Sequence, residues 1–234
     1  KQWDFDMIKN EFIKFFTPLK TSIYGGIIFI FILLNDVIFA DKTTGIATFH
    51  SLLYNDMSSL VFMIPIILAP IVSDIITRDY ESGCMKFLVI YKSKSKVLLC
   101  KIVSLILITA IMIIFTFAIL NILYIFKYSV QIDILLDIKM GLLFLTVLMP
   151  VLLVYVLISI LSKNSTIISL LVFLLIVMSD FIPKTIGNIT PRRFLWECLL
   201  KNEIDKFSII LFLIYIIVLV FLNFKLFNKK ELVH

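Results

Sequence analysis

Six long apolar segments restrict this chain to one class of fold. A helix needs about 20 mostly apolar residues to cross the roughly 30 Å hydrocarbon core of a bilayer. Lipid offers the backbone no hydrogen-bond partners, so each crossing segment must be helical. The segments are 21–39, 57–76, 102–126, 140–161, 166–182 and 207–224. The sequence therefore predicts an all-α integral membrane protein with six transmembrane helices in a single transmembrane domain, 1–234.

The composition supports the membrane class. The chain is 61% hydrophobic and 16% charged, against roughly 45–50% and roughly 25% in soluble domains. If both termini are cytoplasmic, the inner segments hold 14 of the 22 basic and 7 of the 16 acidic residues, giving +7 inside and −1 outside. This distribution follows the positive-inside rule. The basic inner surface is expected to contact anionic membrane lipid, and no nucleic acid partner is expected.

The first residues are predicted to form an amphipathic elbow helix, 3–16, at the inner membrane interface. Apolar residues recur there at helical spacing, and acids interrupt the stretch in a way that is not typical of a signal peptide. The apolar stripe is Phe5, Ile8, Phe12 and Phe15 or Phe16. Two roles stay open for this helix, a plain membrane anchor and an elbow that also touches a cytoplasmic partner.

A second short helix is predicted at the outer interface, between the fifth and sixth spans. Thr190 followed by Pro191 is a favourable helix start, and Leu195, Trp196 and Leu199 give the following residues an apolar side.

Three polar residues near the outer ends of the spans are candidates for a substrate pathway. They are Asp36, Asn121 and Asp180. Polar groups within spans are costly, and together these three would bind cationic groups on a substrate that leaves the membrane. The alternative is that they sit close enough to the helix ends to reach water.

Neither a catalytic site nor a cofactor or metal site is expected in this chain. A phosphate-binding loop needs Gly-Lys-Ser/Thr, and none of the six glycines is followed by lysine. His50 and His234 are isolated from each other and from any metal-binding pattern. The chain is therefore not expected to be an enzyme.

Charge gathers in one loop, 78–96, between the second and third spans. The stretch Arg78 to Lys86 is followed by further lysines up to Lys101, and so many charges must lie in water or on a partner protein. The mixture of acids, bases and apolar residues suits a contact surface. The alternative is a solvated loop whose charges only fix the topology.

This loop resembles that of the type-2 family of ATP-binding cassette export permeases. After the second span, that family has an acidic residue, Gly-Thr, two leucine-like residues, Pro-x-Ser-Arg and a lysine that opens the third span. The matching positions here are Glu81, Gly83, Phe87, Leu88, Ser93, Lys94 and Lys101. The sequence departs from the pattern at Cys84, Tyr91 and Lys94, which replace threonine, proline and arginine, and the loop is one residue shorter.

The resemblance implies a multi-pass protein of the bacterial cell membrane that pairs with a second permease, identical or homologous. Two copies of a separate cytoplasmic ATPase would bind ATP and Mg²⁺ and supply the energy. The loop would contain a coupling helix that contacts this ATPase. Its contact residues would be Arg78, Asp79, Glu81, Gly83, Met85, Lys86 and Phe87.

Small size and the absence of a large outer domain look most like a Gram-positive bacterial group of these permeases. That group expels amphipathic peptides and includes lantibiotic and bacteriocin immunity transporters and phenol-soluble modulin exporters. Two other functions stay open. An ion-coupled secondary transporter would be expected to show internal repeats and charged span centres, which are not evident here. A non-transporting immunity receptor or membrane anchor would bind peptide without moving it.

Overall fold

The computed structural model describes residues 2–40, 48–162, 174, 190, 193–195 and 206–230. Within these ranges the chain is helical, and five helices are long and apolar enough to cross a membrane. The predicted all-α membrane fold is confirmed. Apart from residue 174, the fifth predicted span, 166–182, lies outside the described residues, as does most of the predicted outer-interface helix.

The chain begins with helix α1, Gln2–Phe15, where the elbow helix is predicted. Helix α2, Pro18–Ala40, follows after two residues. Proline suits the first position of α2, because the backbone N–H that it lacks would have no partner within the helix there. The first span therefore begins three residues before its predicted start at 21.

The second span is longer than predicted and is not one regular helix. Helix α3, Phe49–Val72, continues into a π-helical turn, Ser73–Thr77, and then into the one-turn helix α4, Arg78–Glu81. Thr48 starts α3 with a reciprocal cap, since its hydroxyl accepts from Ser51 N at 3.3 Å and Ser51 Oγ accepts from Thr48 N at 3.1 Å. Such a cap satisfies two backbone donors that the first helical turn leaves open.

Three more helices form the middle of the chain, and one further helix is described near its end. Helix α5, Cys84–Tyr91, precedes the long helix α6, Lys94–Tyr128, and helix α7, Ile134–Leu161. Helix α8, Lys206–Lys229, is the last described span. Asp133 caps α7 by accepting from Leu136 N at 3.1 Å.

The core lies where α3, α6 and α7 meet, and α1 and α8 pack around it. The apolar part of the second span, Ser59–Glu81, is 72% buried, whereas those of α2 and α8 are 17% buried. The outward faces of α2 and α8 are rich in exposed apolar residues. In a membrane this surface contacts lipid or another protein, because lipid tails are as apolar as these side chains.

Candidate functional site

Lys101 is the most unusual residue of the bundle, because its charged side chain is fully buried. It lies on α6, and its Nζ donates to Glu11 Oε1 at 3.0 Å, to Asp79 Oδ2 at 2.5 Å and to the backbone oxygen of Ile75 at 2.6 Å. An ammonium group has three N–H donors, so all of its hydrogen-bonding capacity is used. The partners come from α1, α4 and the π-helical turn, which Lys101 joins to the start of the third span.

Lys14 completes the cluster from the edge of α1. Its Nζ lies 3.3 Å from Glu11 Oε1 and 3.2 Å from Asp79 Oδ1, and its side chain is half exposed. Burial alone would lower the pKa of Lys14, but the charges and hydrogen bonds of Glu11 and Asp79 raise it overall. We call the four residues Glu11, Lys14, Asp79 and Lys101 the inner ionic cluster.

The inner ionic cluster is balanced, with two cations and two anions. Removing charges from water costs several kcal/mol per ion, roughly, and close pairing with additional hydrogen bonds offsets this cost. Loss of one member would leave its partners charged and buried. The cluster therefore holds α1, α4 and α6 in one arrangement.

A tight turn connects α4 to α5 directly beside this cluster. Gly83 adopts φ +75°, the left-handed region that favours glycine because it has no Cβ. The backbone changes direction at Gly83, and α4 and α5 pack against each other around it. We call residues 78–91, the two helices and their turn, the coupling segment.

The coupling segment places its candidate contact residues on two different sides. Four side chains are exposed at the surface, Arg78, Glu81, Lys86 and Phe87. Two others are buried in the bundle: Asp79 binds Lys101, and Met85 is 1% exposed. Asp79 and Met85 face the bundle and attach the segment to it.

The end of the last span also holds the coupling segment. Lys230 Nζ lies 4.3 Å from the centre of the Tyr80 ring, a cation–π distance, and Phe227 packs edge-on against the same ring. Lys94 Nζ donates to the backbone oxygen of Lys230 at 2.7 Å. A movement of the coupling segment would therefore displace α1, α6 and α8.

One further pair ties the first span to the same region. Lys20, at the start of α2, forms an ion pair with Asp74 in the π-helical turn. Arg78 NH1 lies 3.8 Å from the other oxygen of Asp74, and these side chains are partly exposed.

At the opposite end of α6, a groove opens between α6 and α7. Its volume is about 430 Å³, and its walls are mostly apolar. Two polar side chains reach it, Asn121 and Asp137, and Asn121 Nδ2 donates to Asp137 Oδ2 at 2.8 Å. We call it the α6–α7 groove. Sequence reasoning predicted Asn121 and missed Asp137, because the fourth span was predicted to begin only at 140.

Asp36 does not join Asn121 in this groove. It is paired with Lys127, and it accepts a hydrogen bond from Tyr128 OH at 2.5 Å. Its charge is thereby compensated within the chain, so the prediction that it binds a cationic substrate group is not favoured by this arrangement. Asp180 lies outside the described residues.

A closed polar network lies at the same end, among α2, α3 and α6. Asp56 accepts from Asn35 Nδ2 and, at 2.5 Å, from Tyr124 OH, while Ser59 Oγ donates to Asn35 Oδ1 at 2.7 Å. Asp56 precedes the apolar span that begins at Ser59. Burial, opposed by the hydrogen bonds from Tyr124 and Asn35, raises the pKa of Asp56 from 3.8 to about 6.

No metal centre is formed within the described ranges, since no three His, Cys, Asp or Glu side chains converge there.

Comparison with known families identifies the class of this chain. A family model described as ABC-2 family transporter protein matches residues 5–196, from the elbow helix into the segment before the last span. The match covers well over half of the 234 residues. The chain belongs to the ABC-2 transporter family. No curated protein matches the chain.

Membership of the ABC-2 family gives the chain a general role. It is a multi-pass membrane protein and a permease subunit of an ABC exporter, a kind of subunit that is typically non-catalytic. Membership also implies association with an ABC ATPase. The resemblance drawn from residues 81–101 is confirmed at the level of the family.

Proposed function

We propose that this ABC-2 permease expels amphipathic peptides, and that an ABC ATPase drives it by pressing on the coupling segment. Two copies of the ATPase would bind ATP and Mg²⁺, and a second permease, identical or homologous, would complete the transporter. Both termini would face the cytoplasm of a bacterial cell, as the basic inner segments favour.

The observation that carries the proposal is the two-sided coupling segment. Its buried side is attached to the bundle through Asp79 and Tyr80, while its exposed side presents Arg78, Glu81 and Phe87. Charges of both signs set the register with a partner, and an exposed aromatic ring provides apolar contact area. Because the segment is exposed on one side and attached to the bundle on the other, an ATPase that displaces it would also displace the attached helices.

The inner ionic cluster extends this transmission to the elbow helix. Force on α4 reaches Lys101 through Asp79, and Lys101 holds Glu11 of α1. Because α6 runs from the cluster to the α6–α7 groove, a tilt of α6 at one end displaces the groove at the other. The 20 residues from Lys101 to Asn121 span about 30 Å at about 1.5 Å per residue.

The proposed substrate class rests on the surface of the spans and on the narrower resemblance. Exposed apolar residues on α2 and α8 give a membrane-dissolved peptide direct access to the bundle from lipid. The group that the sequence most resembles serves peptide-antibiotic immunity or toxin secretion, and we propose one of these roles here.

A second candidate is favoured by one feature, the buried carboxylate of Asp56. A buried acid that changes protonation suits an ion-coupled secondary transporter. The third possibility, a peptide receptor without transport, requires only a binding surface.

Reconstituted vesicles separate the three functions. The permease and the ABC ATPase purified with it would be placed in proteoliposomes, and movement of a fluorescent amphipathic peptide would be followed with ATP, with a non-hydrolysable ATP analogue and with a pH gradient alone. We expect movement with ATP only. Movement driven by the pH gradient without ATP would establish secondary transport, and peptide binding without movement under any condition would establish a receptor.

A further inference from the structure

The π-helical turn of the second span, Ser73–Thr77, interrupts a segment that is α-helical on both sides. At its end the backbone N–H of Arg78 donates to the oxygen of Ser73, five residues earlier, whereas an α-helix joins residues that are four apart. The turn therefore contains one residue more than the α-helical turn that would replace it. Such turns are frequently found at functional sites.

The hydroxyl group of Thr77 shows that the turn opposes a local preference. Thr77 Oγ1 is buried and has no hydrogen-bond partner among the described residues. In the regular parts of the described helices, five other hydroxyls donate at 2.8–2.9 Å to the backbone oxygen four residues earlier, those of Ser104, Thr109, Thr116, Thr146 and Ser159. For Thr77 this oxygen belongs to Ser73, and it accepts from the N–H of Arg78 instead. A regular α-helix would give Thr77 the bond that the other five make.

Lys101 stabilises the π-helical turn from outside. Its Nζ donates to the oxygen of Ile75, within the turn, and to Asp79 Oδ2, just after it. Each residue advances an α-helix by about 100°, so the extra residue of the turn determines which side chain of α4 faces Lys101. Without it, Arg78 would take the place of Asp79 and bring a second cation to Lys101. The inner ionic cluster therefore favours the π-helical turn that the Thr77 hydroxyl disfavours.

We propose that the π-helical turn is a two-state hinge. In the second state the turn is regular α-helix, Thr77 Oγ1 donates to the oxygen of Ser73, and α4 is rotated by about 100° about the axis of the second span. Asp79 has then left Lys101, which keeps its contact with Glu11. A local preference and a tertiary contact that oppose each other give one segment two discrete arrangements.

The connections on either side of α5 permit the rotation without a movement of the third span. Gly83 precedes α5 in the left-handed region, and a glycine also adopts other backbone conformations without steric cost. Lys92, which follows α5, is extended with φ −141° and ψ 154°. The coupling segment can thus turn while α6 keeps its place. The inference does not rest on the proposed function, because both states belong to this chain alone.

An exchange of the two charges at the start of α4 tests the hinge. In the double variant Arg78→Asp, Asp79→Arg, the acid faces Lys101 only in the second state. We expect this state to predominate in the exchanged protein, whereas the first state predominates in the unchanged protein.

Distances between spin labels distinguish the two states in the full-length protein in nanodiscs, with the three native cysteines replaced by alanine. One label is placed at Glu81→Cys on α4, and the other at Ile114→Cys on α6 or, in separate samples, at Leu19→Cys on α2, all of them exposed positions. A rotation of about 100° displaces a side chain on α4 by about 8 Å, since side chains extend about 5–6 Å from the helix axis. Double electron–electron resonance should show a new distance for at least one pair. Unchanged distances in the folded exchanged protein would overturn the proposal.

Thr77→Val connects the second state to the hydroxyl group. In the exchanged protein it should lower the ratio of the second state to the first about fivefold, the factor that corresponds to one neutral hydrogen bond. Thr116→Val removes a hydroxyl of the same kind from the regular helix α6 and should leave the ratio unchanged. Equal effects of the two variants would contradict the role of Thr77.

Deletion of Ile76 tests the hinge even if the exchanged protein does not fold. It removes one residue from the π-helical turn and keeps Asp79 opposite Lys101, so the turn should become α-helical with little loss in melting temperature. Deletion of Ile113, which is also apolar and buried, rotates part of the regular helix α6 and should lower the melting temperature strongly. Equal losses in the two deletions would show that the turn cannot become α-helix, and would refute the hinge.

Discussion

The carboxylates near the two ends of α6 are stabilised by different partners. At the coupling end, Lys101 gives the carboxylates of Glu11 and Asp79 a cation in direct contact. At the opposite end, Asp36 is also paired with a cation, Lys127, but Asp56 and Asp137 accept hydrogen bonds from neutral side chains, those of Asn35, Tyr124 and Asn121. A compensated cluster fixes helices in one arrangement, whereas a carboxylate without a cation keeps the capacity to bind a proton or a cationic ligand. The first suits force transmission and the second suits binding.

The largest expected effect comes from removing the central cation. Lys101→Met should lower the free energy of unfolding by about 3–5 kcal/mol, because the buried carboxylates of Glu11 and Asp79 would lose their buried cation and keep only the half-exposed Lys14. Thermal unfolding in mild detergent measures it. The triple variant Lys101→Met, Glu11→Gln, Asp79→Asn should recover much of the loss, since the one charge that remains, Lys14, is half exposed to water. A triple variant less stable than Lys101→Met would contradict the ionic explanation.

The next effect is a pH dependence at the opposite end. Because the pKa of Asp56 is raised to about 6, the folded state holds a proton that the unfolded state releases near pH 4. The free energy of unfolding should therefore fall as the pH rises from about 4 to about 6, by about 2–3 kcal/mol in total at roughly 1.4 kcal/mol per pKa unit.

Asp56→Asn isolates this contribution. Melting temperatures of the variant should depend less on pH between 4 and 6 than those of the unchanged protein, because asparagine does not titrate. Parallel curves for the two proteins would show that Asp56 does not titrate in this range.

A smaller effect sharpens the comparison at the coupling end. Asp74→Asn removes the partner of Lys20 and Arg78, but these side chains are partly exposed to solvent. We expect a loss of at most about 1 kcal/mol, which added salt would reduce further. A loss as large as that of Lys101→Met would show that burial does not make the ion pairs of Lys101 more stabilising than those of Asp74.

The smallest effect on stability is expected in the α6–α7 groove. Asp137→Asn should change the free energy of unfolding by less than about 0.5 kcal/mol, because one of its oxygens lacks a partner among the described residues and the asparagine oxygen can still accept the hydrogen bond from Asn121. The melting temperature in detergent measures this change. A loss of several kcal/mol would assign Asp137 a structural role instead.

The sequence was sufficient to locate the five described spans and insufficient for the contacts between the helices. Lengths of apolar residues locate the spans, since backbone hydrogen bonding in lipid permits only helices there. The burial of Glu11 could not be predicted, because it depends on Lys101, 90 residues further along the chain.

The burial of Asp79 and Met85 could not be predicted either, because a charged loop indicates exposure without showing which of its side chains face the bundle. Asp137 carried a weak signal that was missed. The apolar run of α7 begins at Ile134, and Asp137 and Lys139 are its only charged residues.

Co-purification tests most directly whether the exposed side of the coupling segment binds the ATPase. Tagged permease would be recovered in mild detergent, and the accompanying chains would be identified and quantified by mass spectrometry. The double variant Glu81→Ala, Lys86→Ala would be compared with Asp74→Asn, a matched change beside the same segment. We expect the unchanged protein and Asp74→Asn to recover an ABC ATPase, and the double variant to lose it at an unchanged melting temperature. Full recovery of the ATPase with the folded double variant would contradict the proposed docking surface.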